Sequence, residues 1–184
     1  MNIVNKPITI EQEICVKCGM CCDGTLFNNA VLLKGEKKSL PPLIAKRYIK
    51  SKTGEAFKLP CPYFDKKCTI YDQEKPDVCS SFRCELLKNL SKEKTTKANA
   101  AQIVENAMDL RSEIFTMYEK AYKIMEPISF RDILFDLRVR TEKNELENIK
   151  DPQLDLLMFK SHILEILLVK YFKPSDEYQK LVMK

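Results

Sequence analysis

Eight thiols carry the chemistry open to this chain. Cys15, Cys18, Cys21 and Cys22 fall within eight residues, Cys61, Cys68, Cys79 and Cys84 follow, and the hundred residues after Cys84 contain none. Thiolate sulfur is a soft ligand, and four thiolates in tetrahedral array select zinc or an iron–sulfur cluster. A Cys-x-x-Cys turn lets two thiolates converge on one centre. Cys15-x-x-Cys18-x-x-Cys21 therefore offers three, the spacing with which bacterial ferredoxins hold three corners of a four-iron cluster. That pattern ends in a cysteine followed by proline, the form of Cys61-Pro62, and this leans the site towards iron.

Cys22 is harder to place. Adjacent side chains point about 100° apart on a helix or to opposite faces of a strand. Either one of Cys21 and Cys22 is a ligand and the other is buried, or the pair bridges two sites. Eight thiols allow two four-cysteine zinc sites, a four-iron cluster with four further thiols, or a multinuclear cluster with shared sulfurs. The spacing leaves all three open. Taken singly, Cys68, Cys79 or Cys84 also fits the role of a small buried hydrophobe.

A chain of 184 residues is long enough to bury a core without covalent staples, so the cysteines are not needed for that. Residues Met1 to Pro7 lack the apolar run of a secretory signal, and no stretch has the apolar length of a membrane span. The expectation is a cytoplasmic protein, and in a reducing compartment clustered cysteines are metal ligands more often than disulfides. With 31 basic and 26 acidic side chains the net charge of +5 is modest and interspersed. The basic and aromatic residues around Lys46-Arg47-Tyr48 and Arg83 lack an interleaved stacking motif, which argues against nucleic acid as a partner.

Other chemistries lack their residues. The four glycines, Gly19, Gly24, Gly35 and Gly54, form neither a dinucleotide-binding nor a phosphate-binding loop. The single histidine, His162, lies mid-helix on the side of Asp155 and Glu165, and reads as a structural or surface residue. Without a second histidine the zinc-hydrolase pairings are excluded.

The elements that must position the thiols fall into two compositions. Residues 8 to 14 alternate weakly through Ile8, Ile10 and Ile14, a short strand or turn leading into the cluster. Asp23-Gly24 is a turn, and Leu26-Phe27 with Ala30 to Leu33 is extended. Pro41-Pro42 opens a short helix through Leu43, Ile44, Arg47 and Tyr48, ended by Thr53-Gly54-Glu55. Polar residues from Lys88 to Lys97 separate this part from a helical one.

From Ala98 a helical period sets in. Ile103, Ala107, Leu110, Ile114, Met117, Ala121 and Ile124 recur at steps of four and three, widened by Phe115, Tyr118, Tyr122 and Met125, up to a stop at Glu126-Pro127. The stripe is wider than a coiled-coil seam and so belongs to a helix packed in its own domain, although a homodimer stays open beside a monomer. Ser129 with Asp132 resembles a capping box that opens a second helix through Ile133, Leu134, Leu137 and Val139. Asp151-Pro152 starts a third, whose run from Leu154 to Phe172 is apolar on most sides, as for a buried central helix. Lys170 and Lys173 suit its C-terminal dipole, Pro174 stops it, and Ser175 caps a last short helix.

The ordered set Cys15-x-x-Cys18-Gly19-x-Cys21-Cys22, Cys61, Cys68-x-Ile70-Tyr71, Pro76-x-x-Cys79 and Phe82-x-Cys84 resembles the CxxCxxCC family of zinc- or iron-chelating cysteine-cluster proteins, also called the YkgJ family. The resemblance spans roughly residues 15 to 86. It departs from the family at Lys75-Pro76, where arginine is usual, which keeps the charge and loses the forked donor. The resemblance implies metal or iron–sulfur binding by these cysteines and no settled reaction. A related cluster occurs in flagellin lysine methylases, which makes methyl transfer conceivable, but no adenosylmethionine loop is recognisable.

The whole reads as a mainly α protein. An irregular cysteine-rich metal-binding module over residues 1–90, with a few short strands at most, docks on a helical bundle over residues 91–184. The expected cofactor is an iron–sulfur cluster, or else zinc, held by the eight cysteines. The alternatives are an enzyme using the cluster for redox chemistry or side-chain modification, and a metal-handling or protein-interaction module with an unidentified protein partner.

Overall fold

The computed structural model of the chain describes residues 8–51, 54–123 and 128–173. Helices dominate it. The first, α1 (Ile10–Cys18), begins at a capping box in which Gln12 N donates to Thr9 Oγ1 at 3.3 Å and Thr9 N donates to Gln12 Oε1 at 2.8 Å. This corrects the strand or turn expected for residues 8 to 14. Ile8 and Ile10 are half exposed and only Ile14 is buried, so the alternation serves no buried sheet face, while the cap supplies two orphan N–H partners. Gly19 ends α1 in the left-handed region at φ 63°, its N–H donating to the Cys15 carbonyl.

Three antiparallel strands follow, β1 (Asn29–Val31), β2 (Tyr48–Ser51) and β3 (Gly54–Lys58), in the order β1-β3-β2. Between β1 and β2 stands α2 (Pro42–Ala45), opened by proline as expected. It ends before Arg47 and Tyr48, which the sequence had placed in it, because Tyr48 pairs with Phe57 in the sheet. A two-stranded hairpin, β4 (Phe64–Asp65) with β5 (Lys67–Cys68), turns at Lys66 with φ 57°. The short helices α3 (Asp77–Ser81) and α4 (Glu85–Ser91) carry the chain into the bundle. The cysteine region is thus more regular than expected, and α4 takes up the first residues of the polar stretch 88–97.

The bundle is α5 (Lys97–Tyr122), α6 (Phe130–Glu147) and α7 (Pro152–Leu167), with a π-helical turn at Leu168–Phe172. Ser129 and Asp132 form the expected capping box, and the Asp151 carboxylate accepts from the N–H groups of Gln153 and Leu154. Along α5 the buried residues are Ala100, Val104, Ala107, Ile114 and Tyr118, so the apolar stripe packs inside the fold of its own chain. Ile124 and Met125, the stop at Glu126-Pro127, Pro174 and Ser175 lie outside the described residues.

One expectation for α7 is corrected. Leu154, Leu157, Ser161 and Leu164 are buried, but Phe159 and Ile166 are about two-thirds exposed, at 63% and 64%. The helix packs on α5 and α6 with one side only, so an apolar composition does not make it central. Among the described residues no helix is long and apolar enough to cross a membrane.

Two clusters of buried side chains result. The larger joins α1 and α4 to the bundle: Ile14, Met20, Leu26, Leu86 and Leu87 pack with Val104, Ile114, Leu137, Leu157 and Leu168. The smaller lies under the three-stranded sheet and consists of Leu32, Ile44, Phe57 and Ile70.

Candidate metal centre

Each thiol is placed by a short element. Cys15 and Cys18 lie three apart on the last turns of α1, on one face. The left-handed Gly19 then reverses the chain, Cys22 N and Asp23 N both donate to the Gly19 carbonyl, and Cys21 and Cys22 sit in this turn. A Cβ at Gly19 would stand 2.2 Å from the ring of Phe64, so glycine is needed for close approach as well as for its φ. Cys61 is held to the turn by its own N–H, which donates to the Cys22 carbonyl at 2.6 Å, and Arg47 Nη1 donates to the adjoining Pro60 carbonyl. Cys68 ends β5, Cys79 lies in α3, and Cys84 is the residue from which α4 starts.

Two side chains tie these elements together across the sequence. Glu36 accepts from Leu33 N with one oxygen and from Asp77 N with the other, which fixes the start of α3 and hence Cys79. Arg111 reaches from α5 to the cysteine turn, with Nε 3.0 Å from Asp23 Oδ2 and 2.7 Å from Thr25 Oγ1, and its guanidinium lies over the Phe115 ring. Burial nonetheless raises the Asp23 carboxyl above its ordinary range, although Arg111 pulls the other way.

All eight cysteines meet around two adjoining cavities. A cavity of about 270 Å³ is lined by Cys15, Cys21, Cys22, Cys61, Cys68 and Cys79, with Phe27, Phe57, Phe64, Tyr71, Lys75 and Phe82 among its other walls. A smaller one of about 40 Å³ is lined by Cys15, Cys18, Cys21, Cys22 and Cys84. The cysteines are free thiols. Among the described residues no three His, Cys, Asp or Glu side chains stand around a common point at metal-ligand geometry.

The electrostatics of the thiols follow from burial. It pushes Cys18, Cys21 and Cys22 well up and Cys79 up to about 12, with neighbouring cysteines adding to the shift at each. Cys15, Cys61 and Cys84 are raised for the same first reason. Cys15 and Cys79 expose part of their surface, yet their thiols stand among enough protein atoms to feel this. Left to themselves these sulfurs keep their protons, and a cation of charge two or more is what would let them ionise together. Arg83 and Lys75 oppose the shift at Cys15. Lys75 donates to the Tyr71 carbonyl and lies 4.2 Å from the centre of that ring, which places its ammonium group at the cavity wall.

The donor set therefore fits a soft metal or an iron–sulfur cluster: eight sulfurs lining adjoining cavities, with cationic side chains beside them. The basic residues set aside as a nucleic-acid patch are used locally, Arg47 on Pro60 and Arg83 on the carbonyls of Ser80 and Phe82. His162 is exposed and bonded to Glu165 at 2.8 Å, as a surface histidine. Sequence reasoning missed Arg111 and the aromatic walls. Tyr71 and Phe82 belonged to the ordered cysteine pattern and were a usable signal; Arg111 had none, since its partner Thr25 is 86 residues away.

Comparison with known proteins agrees with this chemistry. Residues 14–108 match the profile of the CxxCxxCC family, whose description is "Putative zinc- or iron-chelating domain". No curated protein and no solved structure matches the chain.

Proposed function

From its place in the CxxCxxCC family, to which this chain belongs, we propose that the protein is a cytosolic metalloprotein whose eight cysteines bind an iron–sulfur cluster, or zinc. One observation carries the reading. Eight thiols scattered over seventy residues of sequence all line the same pair of adjoining cavities. The size of the larger cavity supports iron–sulfur over a lone ion, since by the same measure a single water needs only about 10–15 Å³. The ferredoxin-like spacing of Cys15, Cys18 and Cys21 points the same way.

An iron–sulfur cluster would supply electron transfer, and zinc a closed structural tie. The chain's own residues do the rest. The thiols line the cavity walls, Lys75 and Arg83 would offset thiolate charge at Cys15, and Phe27, Phe64 and Phe82 line the larger cavity beside the sulfurs. A second reading, an enzyme in which the centre acts on a bound molecule, has the apolar and aromatic lining of the larger cavity in its favour.

Anaerobic purification followed by metal and sulfide analysis with an absorption spectrum tests the proposal. A brown protein with iron and sulfide, bleached by air, is the expected result, and a colourless one with zinc is the structural variant of it. A folded chain that holds neither metal overturns it.

A further inference from the structure

We propose that the eight cysteines form two separate four-thiolate centres, Cys15, Cys18, Cys21 and Cys84 in one and Cys22, Cys61, Cys68 and Cys79 in the other, divided at the Cys21–Cys22 peptide. The inference rests on the reading that these cysteines bind metal and adds which thiols act together.

Two observations sort the thiols alike. The first is the cavities: Cys18 and Cys84 line only the small one, and Cys61, Cys68 and Cys79 only the large one, which leaves Cys15, Cys21 and Cys22 to be allotted. The second is packing. Cys84 belongs to the large helical core, with Cys18 and Cys21 against it, whereas Cys61 and Cys68 pack against the small core under the sheet.

Cys22 is further bound to the second set by its carbonyl, which accepts from Cys61 N. Cys15 lines both cavities. Its place on the same helical face as Cys18 assigns it to the first set. The opposed directions of adjacent side chains, an obstacle to a single centre, are what two centres back to back require.

Each set offers four soft donors, the number taken by one zinc ion or one four-cornered iron–sulfur cluster. The first set joins α1 to α4 and the second joins the cysteine turn to the β4–β5 hairpin and α3.

Zinc serves as the probe on the full chain, reduced and metal-free at the start. Native mass spectrometry counts the ions, and maleimide labelling with fragmentation of the intact chain maps the free thiols. Two zinc ions per chain are expected, with all eight thiols protected. Under partial removal by a chelator, chains with one zinc should take up four labels, all within one set, and C15S and C79S should each release one zinc at chelator levels that leave both on the wild type. One-zinc chains labelled across both sets, or zinc lost without a one-zinc species, would overturn the division while leaving metal binding intact. A wild-type chain that takes up no zinc and purifies without iron removes the underlying reading and this one with it. Because the partial-removal experiment uses the unaltered protein, poor folding of a variant leaves the result readable.

Discussion

The two cores of this molecule differ fivefold in the number of buried side chains. Among the described residues, twenty join α1, α4 and the bundle, whereas four hold the three-stranded sheet. A fully buried aliphatic or aromatic side chain contributes about 1.5–3 kcal/mol, and each ordered residue costs about 1–2 kcal/mol in backbone entropy. Twenty such groups can organise three long helices whose hydrogen bonds are local. Four cannot hold down short strands, a two-residue hairpin and the connecting loops. Cys61 and Cys68 pack against this small core, where apolar burial is scarce, and a structural metal typically contributes on the order of 10 kcal/mol. On the proposed metal binding this is a division of labour, with the bundle stabilised by burial and the sheet region by its thiols.

The largest effect should come from removing the metal. Chelation under reducing conditions is expected to raise amide exchange across residues 29–70 by about a hundredfold or more, while the protected amides of α5, α6 and α7 change little. Equal loss of protection in both regions would break the comparison.

Paired core truncations sharpen it. Leu157→Ala, in the fully buried face of α7, should cost about 2–5 kcal/mol in denaturant unfolding of the whole chain. Phe57→Ala, in the small core and at the cavity wall, should first appear as faster metal loss to a competing chelator, before the helical circular-dichroism signal falls.

A smaller and pH-dependent effect is expected at the join between the regions. Arg111→Met leaves the Asp23 carboxylate part-buried without its cation, at a cost of about 2 kcal/mol near neutral pH. Burial already raises the Asp23 carboxyl, and losing Arg111 raises it further. A carboxyl with a raised folded-state pKa favours folding below its ordinary range near pH 4, and this contribution is lost as pH rises through the folded-state value. The defect should therefore shrink as pH is lowered towards 4, measured as the unfolding midpoint of variant against wild type. A pH-independent loss would mean that packing on Phe115, not the charge, ties the turn to α5.

The smallest effect belongs to the bundle alone. Tyr118 is buried and its hydroxyl donates to Asp136 Oδ2 at 2.7 Å, while Arg140 also holds that oxygen. Tyr118→Phe should cost about 1 kcal/mol with no change in metal retention, because Asp136 keeps its other partner. A change in metal content on this substitution would show the two regions to be coupled more closely than their cores imply.

Much of this organisation is written in short-range signals. The caps at Ser129 and Asp151-Pro152 and the period of α5 act within one or two helical turns, so a reader of the sequence finds α5 to α7 where the structure has them. The metal chemistry of the cysteines is equally local, since softness belongs to sulfur and convergence to the Cys-x-x-Cys spacing. Where the reading failed, the deciding partner was distant or the signal ambiguous. Ile8, Ile10 and Ile14 alternate like a strand, yet the box between Thr9 and Gln12 makes a helix. In α7 the apolar residues reveal nothing about which face is covered, because that depends on where α5 and α6 lie.

By itself, then, the sequence determined the three helices of the bundle, the caps at Ser129 and Asp151 and the soft-donor chemistry of the thiols, because each depends on residues within a few positions of one another. Only the tertiary structure decided which thiols face which cavity, that Arg111 secures the turn after Cys22, and that a four-residue core sits beside a twenty-residue one. Those are contacts between segments tens of residues apart, set by how whole elements pack, and no local pattern encodes them.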